Sequence, residues 1–542
     1  MTIDPQNPAL YQGGNMGDLL IDAIQRGGER VAFIQDGRQT TYREFGALVS
    51  RMVQALSARG LAKGDPVATL SSNRPEAFLV TAAAYLMGLR VTWLNPNSSE
   101  DDHVYMLQDS GVQWMLVDPP HYGHRALALQ ARAGSALRMA GLGPWEGQLD
   151  MLAEAARFRP ERLVARASAD DVCVLMYTGG TTGRPKGVVH THRVHEAMVL
   201  MELAGWDWPA EPRFLATTPI THASGTIILP VLLRSGTFIM QAGFEVGSFC
   251  RLVEQHRVNA TFVVPTMIYV LLDSPLRQQH DLSSLALVIY GAAPMAPARL
   301  TEAIGVFGPV FMQIYGQSEA PMALTVLHTH EHEPERQPQR LSSCGTPMAG
   351  IQLRLLDEHG VEVADGEVGE ICARGPLVMA GYWNKPQETA AALRHGWLYT
   401  GDLARRDADG YLYIVDRSKD MIISGGFNVF PREVEDVLSQ HPAVAAAGVV
   451  GVPDPKWGEA VHAMVVLRPG AGPGNDALGA ELIALVRLRK GAVQTPKHIA
   501  FVAQLPVTSL GKLDKKAMRD EFARRRSVQA AASSPTTLSG SG

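Results

Sequence analysis

Cysteine is scarce in this chain. Its 542 residues hold four, Cys173, Cys250, Cys344 and Cys372, widely scattered and without any Cys-x-x-Cys spacing. That pattern excludes a disulfide framework and a structural zinc site, and it fits a reducing compartment. Long apolar runs are missing as well: no uninterrupted stretch reaches the roughly 20 residues a membrane-spanning helix requires. The first residues include Asp4 and Asn7 and show no basic segment followed by an apolar one. The expectation is a cytoplasmic protein, neither secreted nor membrane-spanning. Nor is there an excess of one charge. Lys and Arg number 49 against 54 Asp and Glu, a formal net charge of −5, which gives no reason to expect nucleic acid or an anionic membrane as partner. Internal repeats are absent, which excludes solenoid architectures.

What is present describes a large globular chain. Hydrophobic residues make up 46% and charged residues 19%, and the length exceeds one ordinary core, so at least two domains are expected. Short apolar strand candidates at 67–70, 91–94, 114–117, 260–264 and 285–289 alternate with helical patterns. One such helix is expected over 75–87, with Asn73 as its cap and Gly88 as its stop. This alternation predicts an α/β protein with parallel sheets flanked by helices. From about 351 the strands become shorter and turn-separated (351–356, 369–373), which predicts an antiparallel sheet or small barrel. After Asp416 a compact α+β unit is expected: a helix starting at Pro431, strands over 445–452 and 461–467, and a helix over 478–489. Residues 527–542, rich in Ser, Ala, Thr and Gly, read as a disordered tail.

The most informative stretch is 177–187, Tyr-Thr-Gly-Gly-Thr-Thr-Gly-Arg-Pro-Lys-Gly. Gly179, Gly180 and Gly183 permit successive N–H groups to turn toward one anion. Thr178, Thr181 and Thr182 add donors, and Lys186 adds a mobile positive charge. The loop lies between two apolar runs, 172–176 and 187–190, that read as buried strands. This chemistry suits a polyphosphate, although no Gly-Lys-Ser/Thr closes a Walker A motif.

Together with five further segments this stretch resembles the adenylate-forming superfamily of acyl-CoA synthetases, acid–CoA ligases, luciferases and peptide-synthetase adenylation domains. The matching segments, in the family's order, are Tyr-Gly-Ala-Ala-Pro at 290–294, Tyr-Gly-Gln-Ser-Glu at 315–319, Tyr-Thr-Gly-Asp at 399–402, 416–426 from Asp416 to Gly426, and Leu-Gly-Lys-Leu-Asp at 510–514. The resemblance implies a large N-terminal domain of doubly wound sheets over 1–416, with an antiparallel β subdomain at 351–416. A hinge at 417–420 and a mobile α+β C-terminal domain over 421–526 follow.

It also implies roles. The glycine-rich loop would cover the β- and γ-phosphates of ATP through Thr178, Gly180, Thr181, Thr182, Gly183 and Lys186; where the family usually has serine this chain has Gly179. Glu319 would carry Mg²⁺, a hard cation that prefers carboxylate oxygen; without the resemblance it reads as a surface glutamate at a helix start. Ser318 would contact the α-phosphate and Tyr315 would stack on adenine, with Gly291, Ala292 and Ala293 as a backbone wall beside the base. Asp402 would accept both ribose hydroxyls, and Arg417 would add a ribose or phosphate contact. Lys512 would bridge acyl carboxylate and phosphate during adenylation; read alone, it is one solvated lysine beside Lys515 and Lys516. Lys419 matches the hinge, and Gly425 and Gly426 a glycine pair that lets pantetheine pass. Trp457 matches an aromatic near the coenzyme A nucleotide, or it is buried packing.

For the acyl group, His222 matches the pocket mouth. Gly316 stands where acetyl-CoA synthetases place tryptophan, so the pocket should admit more than acetate. Gly225 and Met322 are small or apolar neighbours, and no cation for a second carboxylate is evident. A medium or long fatty acid and an aryl acid both fit. The implied activity is an ATP-dependent, AMP-forming acid–CoA ligase, with ATP, Mg²⁺, coenzyme A and a small carboxylic acid as its partners; a homodimer is compatible with it. The competing expectation is a stand-alone adenylation enzyme that loads a carrier protein. A further cluster, His328-Thr-His-Glu-His-Glu333, has three imidazoles at alternate positions and is expected to be a solvated loop that needs no metal.

Overall fold

In the computed structural model of the chain, residues 14–134, 136–178, 184–417, 420–508 and 512–532 are described. Gly180, Thr181, Thr182, Gly183 and Lys419 lie outside them, as does Gly179.

Two large sheets form the body. In the eight-stranded sheet the order is Gly381–Tyr382, Lys186–Thr191, Val172–Thr178, Arg90–Trp93, Pro66–Leu70, Trp114–Val117, Arg138–Gly141, Leu149–Asp150. Its strands from Val172–Thr178 to Leu149–Asp150 pair in parallel, as helical crossovers such as Pro75–Met87 and Glu100–Ser110 require. The nine-stranded sheet has a parallel centre, Leu287–Tyr290, Ala260–Val263, Arg213–Ala216, Thr237–Met240 and Val31–Gln35, with antiparallel strands at both edges. Strands such as Leu-Val-Ile-Tyr at 287–290 are buried at every position, which is why they read as continuous apolar runs rather than alternating ones. The expected doubly wound α/β body is therefore observed.

Helix Pro75–Met87 follows the expected bounds. Proline opens it, and Gly88, at φ 72°, closes it in the left-handed region. Its residues from Ala77 to Met87 are all buried, so it is apolar all round, as a helix enclosed by the core must be. Asn73 is not its cap. The cap position is Arg74, which makes no capping bond. Asn73 instead donates to the carbonyls of Thr218 and Gln241, both at 2.9 Å, and accepts from the Ile220 N–H. One buried amide thus ties the loops of the two sheets together.

The antiparallel unit expected after residue 351 is a five-stranded sheet built on Gln352–Leu356, Gly369–Arg374, Leu393–Arg394, Trp397–Arg406 and Leu412–Arg417. Beyond it, strands Ile422–Ser424, Phe427–Val429, Val444–Asp454, Gly458–Leu467 and His498–Phe501 form a second five-stranded sheet. Helices Pro431–Leu438 and Asp476–Gln494 cover it, and a separate core unites Val434, Leu438, Val449, Val461, Leu482 and Val486. This C-terminal lobe meets the body through polar contacts: Arg468 to Glu302 at 3.3 Å, Arg405 to Glu433 at 3.1 Å, and an Arg432 N–H donated to the Ser342 carbonyl at 3.5 Å.

Two expectations are corrected. Glu319 does not begin a helix; it sits in the turn of an antiparallel hairpin between Phe311–Gln317 and Ala320–Leu327. The cause is long-range pairing, sharpened at Gly316, where a Cβ would come 2.6 Å from the Met322 nitrogen. The tail also does not begin at 527, because helix Lys515–Ala532 continues past it; Ala, Arg and Gln are good helix formers. All four cysteines are buried free thiols.

Candidate functional site

The hairpin turn that carries Ser318 and Glu319 is pinned from three directions. The Tyr382 hydroxyl donates to Glu319 Oε1 at 2.8 Å. The Met379 N–H donates to the Glu319 carbonyl at 2.8 Å, and His190 Nε2 lies 2.6 Å from the Ser318 carbonyl. Tyr382 arrives there because the short strand Gly381–Tyr382 pairs with Val188 and Val189. Lys186 is on the same hairpin arm, its Nζ 4.8 Å from the centre of the Tyr382 ring. Thr178 pairs directly with Lys186, so the glycine-rich stretch is the connection of a hairpin whose two roots are these residues. Tyr382 and His190 were not among the residues picked out from sequence. The available signals were a tyrosine in a Gly-Tyr-Trp run and a lone histidine in an apolar strand.

A second group forms where the antiparallel sheet meets the body. Asp402 and Arg417 are register partners on neighbouring strands. The Asp402 carboxylate, nearly buried, takes Arg417 Nε at 3.1 Å on one oxygen and the Tyr315 hydroxyl at 2.7 Å on the other. Gly401, just before it in the same strand, has a left-handed φ of 74°. The Asp402 charge, with smaller help from Tyr315, Asp420 and Glu319, raises the Arg417 guanidinium above its usual value. Burial, and then the Asp402 charge, raise the Tyr315 phenol. Gly291, Ala292 and Ala293 follow the strand Leu287–Tyr290 beside Tyr315. A Cβ on Gly291 would come 2.5 Å from the Ile314 carbonyl oxygen, and Ala292 holds φ 64°. The loop is therefore packed directly on the backbone of the Tyr315 strand.

The third group is at the start of helix Ala223–Leu233. His222 occupies its cap position with its Nδ1 3.1 Å from the Thr221 hydroxyl. Burial, with the positive charge of Lys512 adding to it, lowers the His222 imidazole to about 4. Gly225 admits no side chain: a Cβ would lie 1.8 Å from the Ile220 carbonyl oxygen. Beneath it a narrow cavity of ≈ 10 Å³, room for about one water, is lined by Phe78, Trp93, Ile220 and Ile228 among others. Met322 lies across the Glu319 hairpin from Gly316, with φ 63°.

Lys512 sits in a loop closed by Thr508, whose N–H donates to the Lys512 carbonyl at 2.7 Å and whose hydroxyl accepts from the Lys512 N–H at 3.3 Å. The next lysine, which the sequence reading did not single out, is not solvated. Lys515 is buried between Asp416 at 3.4 Å and Glu435 at 3.7 Å, and these carboxylates raise its ammonium against the opposing effect of burial. It fastens the loop to the strand that ends at Arg417. Gly425 and Gly426, at φ 59° and 83°, form a separate group with Trp457 on the C-terminal sheet. The Trp457 carbonyl accepts from Gly425 N–H at 2.8 Å. Its ring is 38% exposed and has Lys456 and Lys497 at 4.8 and 5.3 Å, so it is not a core residue.

The histidine cluster is structural rather than a solvated loop. His332 is buried and bonded to the Tyr290 hydroxyl at 2.9 Å and the His328 carbonyl at 2.8 Å. His328 pairs with Asp207 at 2.9 Å, which raises its imidazole. Among the described residues no group of three or more His, Cys, Asp or Glu is placed to hold a metal, and no helix is long and apolar enough to cross a membrane.

Comparison with known proteins matches the chain to two family profiles, AMP-binding enzyme over residues 20–383 and AMP-binding enzyme C-terminal domain over 433–512. It is 48% identical over 517 residues to a medium/long-chain-fatty-acid–CoA ligase, FadD8, of Mycobacterium tuberculosis, a match that covers 93% of this chain and 90% of the relative. It is 39% identical over 488 residues to a feruloyl-CoA synthase of Amycolatopsis, covering 90% and 94%. Among solved structures it resembles the amide bond synthetase McbA of Marinactinospora thermotolerans, with a TM-score of 0.85 at 32% identity over 93% of this chain and 99% of that one.

Proposed function

The chain belongs to the AMP-binding, adenylate-forming enzyme family, and from that premise we propose that it is an ATP-dependent, AMP-forming ligase that joins a carboxylic acid to coenzyme A. In the first step the acid's carboxylate oxygen attacks the α-phosphorus of ATP, and pyrophosphate leaves with the electron pair of the broken P–O bond. No protein nucleophile is required. The site must instead align two anions and stabilise the charge that develops on the leaving group. In the second step the coenzyme A thiol, losing its proton, attacks the acyl carbonyl and AMP departs with the electrons of the acyl–oxygen bond.

Each group has a task in that sequence. Asp402, already oriented by Tyr315 and Arg417, offers acceptor oxygens for the ribose hydroxyls, and Arg417 a fork for ribose or phosphate oxygens. Gly291, Ala292 and Ala293 give the base a wall without side chains to displace, while Ser318 serves the α-phosphate. Thr178 and Lys186, with the glycine-rich connection between them, serve the β- and γ-phosphates. Glu319 suits Mg²⁺ held with a nucleotide: it is a lone carboxylate, one oxygen of which Tyr382 fixes, and Mg²⁺ commonly takes only one or two carboxylates beside phosphate oxygens. When bound, the ion neutralises phosphate charge. Lys512 stabilises the negative charge shared by the acyl carboxylate and the α-phosphate. Rotation of the C-terminal lobe about Lys419 then withdraws it and presents Gly425, Gly426 and Trp457 to the thiol and its nucleotide.

The observation that carries this reading is the pair of pre-oriented carboxylates in the body: Asp402 is held by Tyr315 at 2.7 Å and Arg417 at 3.1 Å, and Glu319 is held by Tyr382 at 2.8 Å. The relative with 48% identity favours a medium or long fatty acid as the substrate. The test is a panel of fatty, aryl and dicarboxylic acids with ATP and Mg²⁺, following pyrophosphate release with and without coenzyme A. Turnover that depends on coenzyme A and peaks with fatty monocarboxylic acids is expected. A single burst of pyrophosphate unaffected by coenzyme A, followed by turnover on adding an acyl carrier protein, would replace this reading with carrier loading.

A further inference from the structure

We propose that His190 is a positioning residue for adenylate formation: its imidazole, sealed behind the cleft, clamps the Ser318 carbonyl and so fixes the turn that presents Ser318 and Glu319. This rests on the ligase reading, and it concerns a residue that no motif of the resemblance includes.

His190 is fully buried on the strand Lys186–Thr191, with Nε2 2.6 Å from the Ser318 carbonyl oxygen and Nδ1 3.0 Å from His195 Nε2. A carbonyl only accepts hydrogen bonds, so the proton of His190 must be on Nε2. Its Nδ1 is then a lone pair and must accept from His195 Nε2–H. That leaves His195 Nδ1 as a lone pair as well, and this atom is indeed buried without a hydrogen-bond partner. The chain of bonds therefore has one direction, from His195 through His190 to Ser318. Burial lowers both imidazoles, His190 to about 4, so both stay neutral and in this tautomer near neutral pH.

A strand position flanked by Val188 and Val189 would accept a branched aliphatic without an orphaned polar atom behind it. Retaining two imidazoles there, one of them incompletely satisfied, is costly unless the hydrogen bond does something. What it does follows from the strand's period of two. Lys186 and His190, four residues apart, point to the same face of the sheet. One strand thus supplies a phosphate-loop cation near one end and the clamp on the Glu319 turn near the other, which sets the spacing between the two halves of the nucleotide site.

The full-length protein tests this with His190→Leu, which removes the donor, and His190→Gln, whose side-chain N–H restores one. Pyrophosphate release is measured against ATP and Mg²⁺, and thioester formation is measured separately from supplied acyl-AMP and coenzyme A. For His190→Leu a 10- to 100-fold loss of adenylation rate and a several-fold higher Mg²⁺ requirement are expected, with thioester formation from acyl-AMP within twofold of wild type. His190→Gln should recover most of the loss. Equal loss in both half-reactions, or an unchanged Mg²⁺ requirement, overturns the proposal. Should His190→Leu not fold, ¹⁵N spectra of histidine-labelled wild-type protein decide: His190 must be the neutral Nε2–H tautomer from pH 6 to 8, and the Nδ1–H tautomer overturns the clamp. Absence of acid-dependent pyrophosphate release by the wild type would instead remove the ligase reading, whatever the tautomer.

Discussion

Glu319 and Lys512 are held in opposite ways. The body grips the Glu319 turn through Tyr382 and Met379, from one segment, and His190, from another. Lys512 stands in a loop of the C-terminal lobe that is bonded to Thr508 and tied through Lys515 to Asp416 and Glu435. The lobe's contacts with the body include two partly exposed ion pairs, Arg468–Glu302 and Arg405–Glu433, of a kind worth about 0–1 kcal/mol each. In the proposed reaction the nucleotide side stays in place and the cation side leaves. That division is what a two-step reaction in one cleft demands, since a lysine suited to the first step obstructs the thiol in the second.

The largest expected effect tests the permanence of the body. His103, His190, His192 and His332 are buried, and burial lowers each to about 4, against roughly 6.5 in an unfolded chain. Between these values the unfolded chain binds protons that the folded one refuses. Stability therefore falls as pH drops through 6.5 and goes on falling until about 4. Each such group is worth roughly 3 kcal/mol at the acid end, so together they amount to on the order of 10 kcal/mol, comparable with the whole stability of a typical domain. Denaturant midpoints from pH 7 to pH 4.5 should decline steeply. A flat profile would mean that the body does not depend on neutral imidazoles.

Lys512→Ala comes next. Loss of one preorganised charge at the developing anion costs about 10²- to 10³-fold, and the loss should fall on pyrophosphate release alone. Thioester formation from supplied acyl-AMP should remain within a few-fold of wild type. Equal damage to both steps would erase the contrast between the two sides. Tyr382→Phe probes the permanent side more gently. It removes one hydrogen bond to the Glu319 carboxylate, about 1–2 kcal/mol, and should raise the KM for Mg–ATP about 5- to 10-fold without changing the thermal midpoint appreciably.

What sequence reading captured and missed divides along the same line. Helix Pro75–Met87 was legible because its determinants are local: a proline that opens it and a glycine that stops it. The 315–319 turn was misread because Ser318 and Glu319 look like a helix start, whereas the pairing of 311–317 with 320–327 decides it. Tyr382 and His190 act on partners 63 and 128 residues away, and no local spacing announces such contacts. Lys515 was passed over because a lysine next to lysines is usually solvated; only the fold reveals Asp416 and Glu435 around it. The resemblance named the groups proposed to meet ligands but not the side chains that hold those groups still.

Arg468→Gln is the smallest effect and the finest test of the lobe's freedom. Arg468 reaches Glu302, which is also held by the fully buried Arg299 at 2.8 Å, itself bonded to Asp273 at 2.8 Å. On the body side the contact is therefore anchored, and Glu302 keeps a cation when Arg468 is removed. Only the link between lobes is cut, and no charge is left buried and unpaired. Stability should change by about 1 kcal/mol or less, while the lobe spends less time with Lys512 in the cleft. Adenylation should slow up to threefold, and thioester formation should hold or rise slightly. Raising ionic strength screens the same pair in the wild type, so salt should move wild type toward the variant and leave the variant nearly unmoved. If salt instead slowed both proteins alike, the lobe would be held by other contacts, of which Arg405–Glu433 is the next to cut.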